Sequence, residues 1–321
     1  MQYVGIHTQR ARNNFRSVLL LCLFPCLVIL LAFLFSVLMV FFSTEERGNG
    51  IVWEQSLLSV RHLLPYLLGG IAIWFVIAYF ANTFIIQSIT KAHPLERKEN
   101  KRVYNLVENL CMSKGMAMPK IHLIEDNALN AFASGINKNT YTVTLTRGII
   151  DELDDEELEA VIAHELSHIR NRDVRLLIVS IVFVGLFTLL MQISFHALRF
   201  APIRRRSSGK NGWALLAMML IVLAVAAIGY FFANLMRFAI SRNREYMADA
   251  GSAEMTRRPH ALASALRKIS QNPDIQAVTR DDVAQLFIEH RSNSKRFFGG
   301  ISTLFATHPP IEKRIAVLEQ F

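Results

Sequence analysis

Four long apolar runs constrain the fold of this chain more than any other feature of its sequence. They extend from Val18 to Phe42, from about Leu63 to Ile89, from about Leu176 to Leu198 and from about Trp213 to Met236. The first run has 25 uncharged residues, whereas about 20 apolar residues suffice for a helix to cross a bilayer. The sequence therefore predicts a polytopic membrane protein with four transmembrane helices and the lipid bilayer as a partner.

Basic residues beside these runs predict the orientation of the chain. Segment 1–17 carries three arginines and no acid, segment 91–102 is rich in Lys and Arg, and segment 43–62 has three glutamates against two arginines. The positive-inside rule places residues 1–17 and 91–102 in the cytoplasm and 43–62 outside. The connection 199–212 has five basic residues and no acid. If the third and fourth runs both cross the membrane, this basic connection lies outside, against the positive-inside rule. The alternative is that the two runs form a hairpin that does not fully cross.

Composition excludes several classes of partner and site. The net charge of +9 comes largely from residues that flank the apolar runs, which indicates attraction to anionic lipid headgroups. A nucleic-acid partner is not expected, because no soluble stretch interleaves basic with aromatic residues. Of the three cysteines, Cys22 and Cys26 lie in the first apolar run and Cys111 on a predicted helix. This pattern predicts neither a disulfide framework nor a cysteine metal site.

Two histidines four residues apart, His164 and His168, lie in a stretch that predicts a helix. Asp154 is an N-cap candidate, apolar residues recur at helical spacing, and residues 154–170 contain no Gly or Pro. On a helix the two imidazoles lie one turn apart on one face, close enough to bind one ion. Glu165 is offset by one position and is suited to accept a proton from an attacking water. The alternative is an amphipathic helix with two surface histidines.

A second pair of residues at helical spacing, Glu245 and Asp249, completes a possible zinc site. A catalytic zinc binds three protein ligands and keeps an open position, and two histidines with a glutamate form one known set. We therefore expect one Zn²⁺ per chain, bound by His164, His168 and Glu245. Asp249 would accept the second ring N–H of a ligand histidine and so determine its tautomer.

The remaining pattern predicts a mainly α protein with a small β-sheet. Alternating residues indicate short strands at 121–123, 130–133 and 141–146. The strand that begins at Asn130 either pairs with a peptide substrate or is an ordinary core strand. We divide the chain into a membrane anchor (1–90), a first protease part (91–175), a hydrophobic hairpin (176–236) and a second protease part (237–321). The hairpin joins the two ligand helices, which predicts a metal site close to the membrane surface.

Taken together, the motifs resemble the HtpX-type family of membrane-integrated zinc metalloproteases, which are gluzincins related to prenyl-protein endopeptidases. The matching segments are 130–135, 164–168 with Asn171 and Asp173, 241–249, and 308–310 with Arg314. The resemblance implies zinc on His164, His168 and Glu245, with Glu165 as general base. It further implies a substrate-facing strand at Asn130 and substrate or transition-state contacts near His308 and Arg314. Asn171 and Asp173 would support the ligands or simply end the helix.

The resemblance also implies a function. Family members are generally cytoplasm-facing proteases, so we expect an endopeptidase at the cytoplasmic face of a bacterial inner membrane that cleaves misfolded or membrane proteins. A prenyl-protein endopeptidase is the enzymatic alternative. A second alternative is a non-enzymatic membrane adaptor with a structural metal. It is disfavoured because a structural zinc ion normally has four protein ligands, whereas only three are identified here.

Overall fold

The computed structural model describes residues 6–43, 49–200, 219–231, 242–273, 275, 287–288 and 309–321. The chain forms two compact units. The first unit comprises Met1–Ser17, Tyr79–Ile178 and Arg237–Phe321, and the second comprises Val18–Ala78 and Val179–Met236. The described part is mainly helical with one small sheet, as the sequence predicts.

Long apolar helices make up the second unit. Helix α1 (Ile6–Ser43) and helix α2 (Asn49–Thr90) contain stretches long and apolar enough to cross a membrane, Cys22–Phe41 and Gly50–Ile77. Only 17% and 6% of these stretches are buried within the protein. A helix in a soluble core would be mostly buried, so the exposed apolar surface fits contact with lipid.

The third and fourth apolar runs are also helical where they are described. Helix α6 (Asp173–Phe200) contains the third run, and helix α7 (Met219–Phe231) lies within the fourth. Inside the second unit, the ring of Phe24 packs edge-on against Phe75 and Phe187, each with a centroid separation of 5.8 Å. That both runs cross the membrane stays a prediction, and most of the basic connection 199–212 lies outside the described residues.

The sheet of the first unit has four short strands in the order β1-β2-β4-β3. They are β1 (His93–Pro94), β2 (Lys120–Ile124), β3 (Ala131–Ser134) and β4 (Thr142–Thr146). Strands β2 and β4 are parallel, whereas β3 pairs antiparallel with β4 and forms an edge of the sheet. Gly135 ends β3 with a φ of +104°, and a Cβ there would lie 2.2 Å from the carbonyl oxygen of Thr140. The chain reversal into β4 therefore requires glycine.

Helices cover this sheet and supply the candidate site. They are α3 (Lys101–Ser113), α4 (Arg147–Glu152), α5 (Asp155–Asn171), α8 (Arg242–Thr256), α9 (Pro259–Ile269) and α10 (Ile311–Leu318). Helix α5 begins with a capping box, in which Asp154 and Glu157 each accept a hydrogen bond from the other's backbone N–H. Its apolar residues Leu158, Ile162 and Leu166 are fully buried, so α5 is the central helix of the first unit.

A single residue separates the end of helix α5 from the beginning of the long helix α6. Arg172 lies between them with a φ of 60°, in the left-handed region, and its N–H closes the last turn of α5. The sequence correctly places the motif helix directly before an apolar helix. The two are nevertheless separate helices, because the backbone changes direction at Arg172.

Candidate metal centre

His164 and His168 project from the same face of α5. Their ring centroids are 4.8 Å apart, and the two Nε2 atoms are separated by 3.2 Å. The side chain of His164 is 1% exposed and that of His168 is 14% exposed. Two surface histidines on an amphipathic helix would be largely solvated, so that interpretation of the motif is wrong.

Helix α8 brings a carboxylate to the same point. Glu245 places one oxygen 3.6 Å from His164 Nε2 and the other 3.7 Å from His168 Nε2. One nitrogen or oxygen atom from each of the three residues lies within 4.8 Å of the other two. Around a tetrahedral zinc with bonds of about 2.0–2.1 Å, ligand atoms lie about 3.3–3.4 Å apart. The 3.2 Å separation of the two Nε2 atoms is close to such an edge, and the separations to the two Glu245 oxygens are somewhat longer.

Two further carboxylates orient the imidazoles. His164 Nδ1 lies 3.0 Å from Asp249 Oδ1, and His168 Nδ1 lies 3.2 Å from Asp173 Oδ2. A carboxylate at each Nδ1 favours the tautomer whose proton is on that nitrogen. The lone pairs of both Nε2 atoms then point towards each other and towards the carboxylate of Glu245. These three groups repel one another unless a cation lies between them. The donor set consequently fits a divalent metal ion.

The electrostatics of the site also favour positive charge. Burial alone would lower the pKa of His164, but the carboxylates of Asp249 and Glu245 outweigh it and raise the pKa to about 9. Four buried carboxylates, those of Glu165, Asp173, Glu245 and Asp249, thus lie around the two imidazoles. A cation at their centre would offset much of this negative charge.

Glu165 lies beside the ligands and is 1% exposed. The backbone N–H of Ala133, on edge strand β3, lies close enough to this carboxylate to favour its charged form. Its Oε1 atom has no hydrogen-bond partner among the described residues. Burial raises the pKa of Glu165 and the Glu245 charge adds to this, against the opposing effect of the two histidines. A buried carboxylate with a raised pKa is a stronger proton acceptor than an ordinary surface glutamate.

Arg314 of helix α10 is fully buried beside His164, with its Nη2 atom 3.5 Å from His164 Nε2. Its Nε and Nη2 atoms donate hydrogen bonds of 2.9 and 2.7 Å to the two carboxylate oxygens of Asp249. Its Nη1 atom donates to the carbonyl oxygen of Ile288 and lies 3.5 Å from Glu245. Burial would raise the pKa of Asp249, but Arg314 and His164 lower it and keep the carboxylate ionised. The structure thus places Arg314 as a brace for Asp249.

Asn130 is fully buried, although the resemblance implies a substrate-facing position. Its Nδ2 atom donates to the carbonyl oxygen of Pro273, and its Oδ1 atom accepts from the N–H groups of Ala131 and Ile288. The N–H of Ile288 also donates to the carbonyl oxygen of Ala131. The side chain of Asn130 therefore organises the edge of β3 by binding the segment at Ile288.

The remaining residues singled out from the sequence divide three ways. Asp173, the first residue of α6, contacts His168. Asn171 is the last residue of α5 and is 3% exposed. His308 lies outside the described residues. Sequence reasoning missed Ala133, because a backbone N–H leaves no signature in residue identity.

Comparison with known proteins adds independent information. Residues 97–321 match the family model of peptidase family M48. A protease HtpX homolog of Bacteroides fragilis is 62% identical over the full length of both chains. The protease HtpX homolog of Lactobacillus helveticus is 33% identical over 98% of this chain and 99% of the relative. The crystal structure of S. mikatae Ste24p aligns with a TM-score of 0.46 and 18% identity, over 90% of this chain and 61% of that chain.

Proposed function

Because the chain belongs to peptidase family M48 and is a membrane-bound zinc metalloprotease, we propose that His164, His168 and Glu245 bind one zinc ion while Glu165 acts as general base. The observation that carries the proposal is the convergence of three ligand atoms within 4.8 Å of one another in a buried site. Asp249 and Asp173 orient the two histidines, and Arg314 holds Asp249 in place. In such sites the supporting contacts matter almost as much as the ligands.

The chain's own residues supply the proton transfers of peptide hydrolysis. When bound, a zinc ion would polarise the scissile carbonyl and acidify the attacking water. Glu165 accepts the proton of that water at Oε1 and donates it to the nitrogen of the leaving amine. The N–H of Ala133 lies beside this carboxylate and favours its charged form. Proton transfer of this kind contributes about 10²- to 10⁴-fold to the rate.

Edge strand β3 is the surface on which we place the substrate. It lies at one end of the strand order, and the backbone of its residue Ala133 lies beside Glu165. A peptide that pairs with β3 would present its backbone carbonyls beside Glu165. Such pairing recognises the peptide through backbone hydrogen bonds rather than through its side chains. It would therefore accept many different sequences, as a protease for misfolded and membrane proteins requires. The prenyl-protein alternative stays a prediction, while a non-catalytic adaptor is excluded by membership in a peptidase family.

The ligand set can be tested without any substitution. We expect the purified full-length chain to bind about one zinc ion, with an X-ray absorption spectrum of two imidazole nitrogens and light oxygen ligands at about 2.0–2.2 Å. A sulfur shell at about 2.3 Å would instead indicate thiolate ligands. That result, or a third imidazole, would contradict the assignment of His164, His168 and Glu245.

We further propose that the metal centre faces the cytoplasm, as the distribution of basic residues indicates. Lys138 is exposed in the turn between β3 and β4 and marks the protease side of the chain. In a variant with its three cysteines replaced by Ala, we expect Lys138→Cys to react with a membrane-impermeant maleimide only after cell lysis. The control, Glu46→Cys in the connection between α1 and α2, should react in intact cells. Labelling of the Lys138 position in intact cells would reverse the assigned orientation.

A further inference from the structure

Helices α5 and α8, which carry the three proposed ligands, are in close contact at Gly251. A Cβ built on Gly251 would lie 2.4 Å from Ser167 Oγ and 2.9 Å from Ser167 Cβ. The hydroxyl could rotate away, but the Cβ of Ser167 is fixed to the backbone of α5 and cannot. The contact therefore requires a residue without a side chain on α8.

A hydrogen bond beside this contact fixes the same crossing. Ser252 is fully buried, and its Oγ donates a 2.6 Å bond to the carbonyl oxygen of Ala160. Ala160 lies one turn before His164 on α5, and Ser167 lies one turn after it. Helix α8 is thus attached to α5 at two points on either side of a proposed ligand.

We propose that Gly251 is a positioning residue for the metal centre, because it sets the distance between the helix of His164 and His168 and the helix of Glu245. The inference rests on the proposed zinc ligands and adds the element that holds them in register. Carbon atoms of packed side chains normally lie about 3.5–4.0 Å apart. A methyl group at Gly251 would therefore push α8 away from α5 by roughly 0.6–1 Å. Zinc sites tolerate deviations of only about 0.2 Å in their ligand distances.

General helix physics predicts the opposite result for the same substitution. Replacing glycine by alanine inside a helix normally stabilises it, because alanine loses less backbone entropy on folding. The structure instead predicts that Gly251→Ala weakens metal binding, since the methyl group opens the helix crossing. The zinc Kd therefore separates the two expectations, because a more stable helix would not by itself raise it.

The test is zinc affinity of the metal-free full-length chain, measured by competition with a chromophoric chelator. We expect Gly251→Ala to raise the zinc Kd by about 10- to 100-fold, the range seen when residues that orient metal ligands are changed. Adding Ser167→Gly removes the Cβ that the new methyl group meets. The double variant should therefore return to within about threefold of the wild-type Kd, which a general loss of stability would not do.

Two controls separate the possible outcomes. Gly185→Ala places a methyl group on helix α6 where nothing lies within 4 Å, and it should leave the zinc Kd unchanged. If Gly251→Ala binds zinc like the wild type, or if Ser167→Gly fails to restore binding, the proposal is wrong. If Gly251→Ala does not fold, the double variant tests the proposal instead. The proposal requires that the double variant folds and binds zinc, and it is wrong if the double variant does neither. His164→Ala tests the metal centre itself. If this variant retains zinc, the proposed ligand set is wrong as well. If it loses zinc, a wild-type Kd for Gly251→Ala contradicts only the proposed role of Gly251 in the helix spacing.

Discussion

Replacing Glu165 by Gln is expected to lower kcat/KM for an unfolded protein substrate by about 10²- to 10⁴-fold. The substitution keeps the size of the side chain but removes its ability to accept a proton from water. Glu165 is not among the three residues whose ligand atoms converge, so zinc should stay bound at the wild-type stoichiometry. Activity is measured by cleavage of a fluorescently labelled unfolded protein, and zinc by metal analysis of the same sample.

A matched control lies on the same helix. The side chain of Glu156, in the first turn of α5, is 60% exposed, so Glu156→Gln should leave both cleavage and zinc content unchanged. Full activity of Glu165→Gln would end the assignment of Glu165 as general base. The same inactive variant can retain a bound chain, and identifying that chain would distinguish a misfolded protein from a prenylated substrate.

Replacing Arg314 by Met is expected to lower the free energy of unfolding by about 3–5 kcal/mol, the usual cost of breaking a buried ion pair. Arg314 is fully buried, and its removal leaves Asp249 without its two hydrogen bonds from the guanidinium. The effect is measured as the thermal unfolding midpoint of the metal-free chain in detergent. Lys313→Met, which changes an exposed neighbour on α10, is the control and should leave the midpoint unchanged.

The pH dependence of this variant follows from the pKa of Asp249. In the wild type Arg314 and His164 depress that pKa, so their stabilisation is present at neutral pH and is lost as pH falls through the folded pKa. Without Arg314 burial dominates, the pKa of Asp249 rises, and the carboxyl group binds a proton at a higher pH. We therefore expect the difference between wild type and Arg314→Met to shrink as pH is lowered. An equal difference at all pH values would show that lost packing, not the Asp249 charge, causes the effect.

The sequence predicts the ligand helices because their signals are local. Asp154 and the spacing of apolar residues predict α5, and a separation of four residues places His164 with His168 and Glu245 with Asp249. Contacts between residues distant in sequence could not be read in the same way. Arg314 contacts Asp249 across 65 residues, and the resemblance pointed to Arg314 without indicating that its guanidinium binds a carboxylate.

Backbone features were equally hidden from sequence reasoning. The left-handed conformation of Arg172 that separates α5 from α6 occurs at a residue type that rarely adopts it, so no glycine marks the break. The burial of Asn130 depends on Pro273 and Ile288, which are far along the chain. Gly251 is unremarkable in the sequence, because only the packed helices show what a side chain there would meet.

The outer edge of β3 already has partners within the chain. The N–H of Ile288 donates a hydrogen bond to the carbonyl oxygen of Ala131, and the N–H of Ala133 lies beside the carboxylate of Glu165. A polypeptide can displace such partners only if its own backbone N–H and C=O groups are free to form hydrogen bonds with β3. In a helix or a sheet, these groups are already hydrogen-bonded to each other. On this proposal, a natively folded protein would not be cleaved, because its backbone groups cannot pair with β3. A protein that has lost its secondary structure could be cleaved for that reason alone, whatever its sequence.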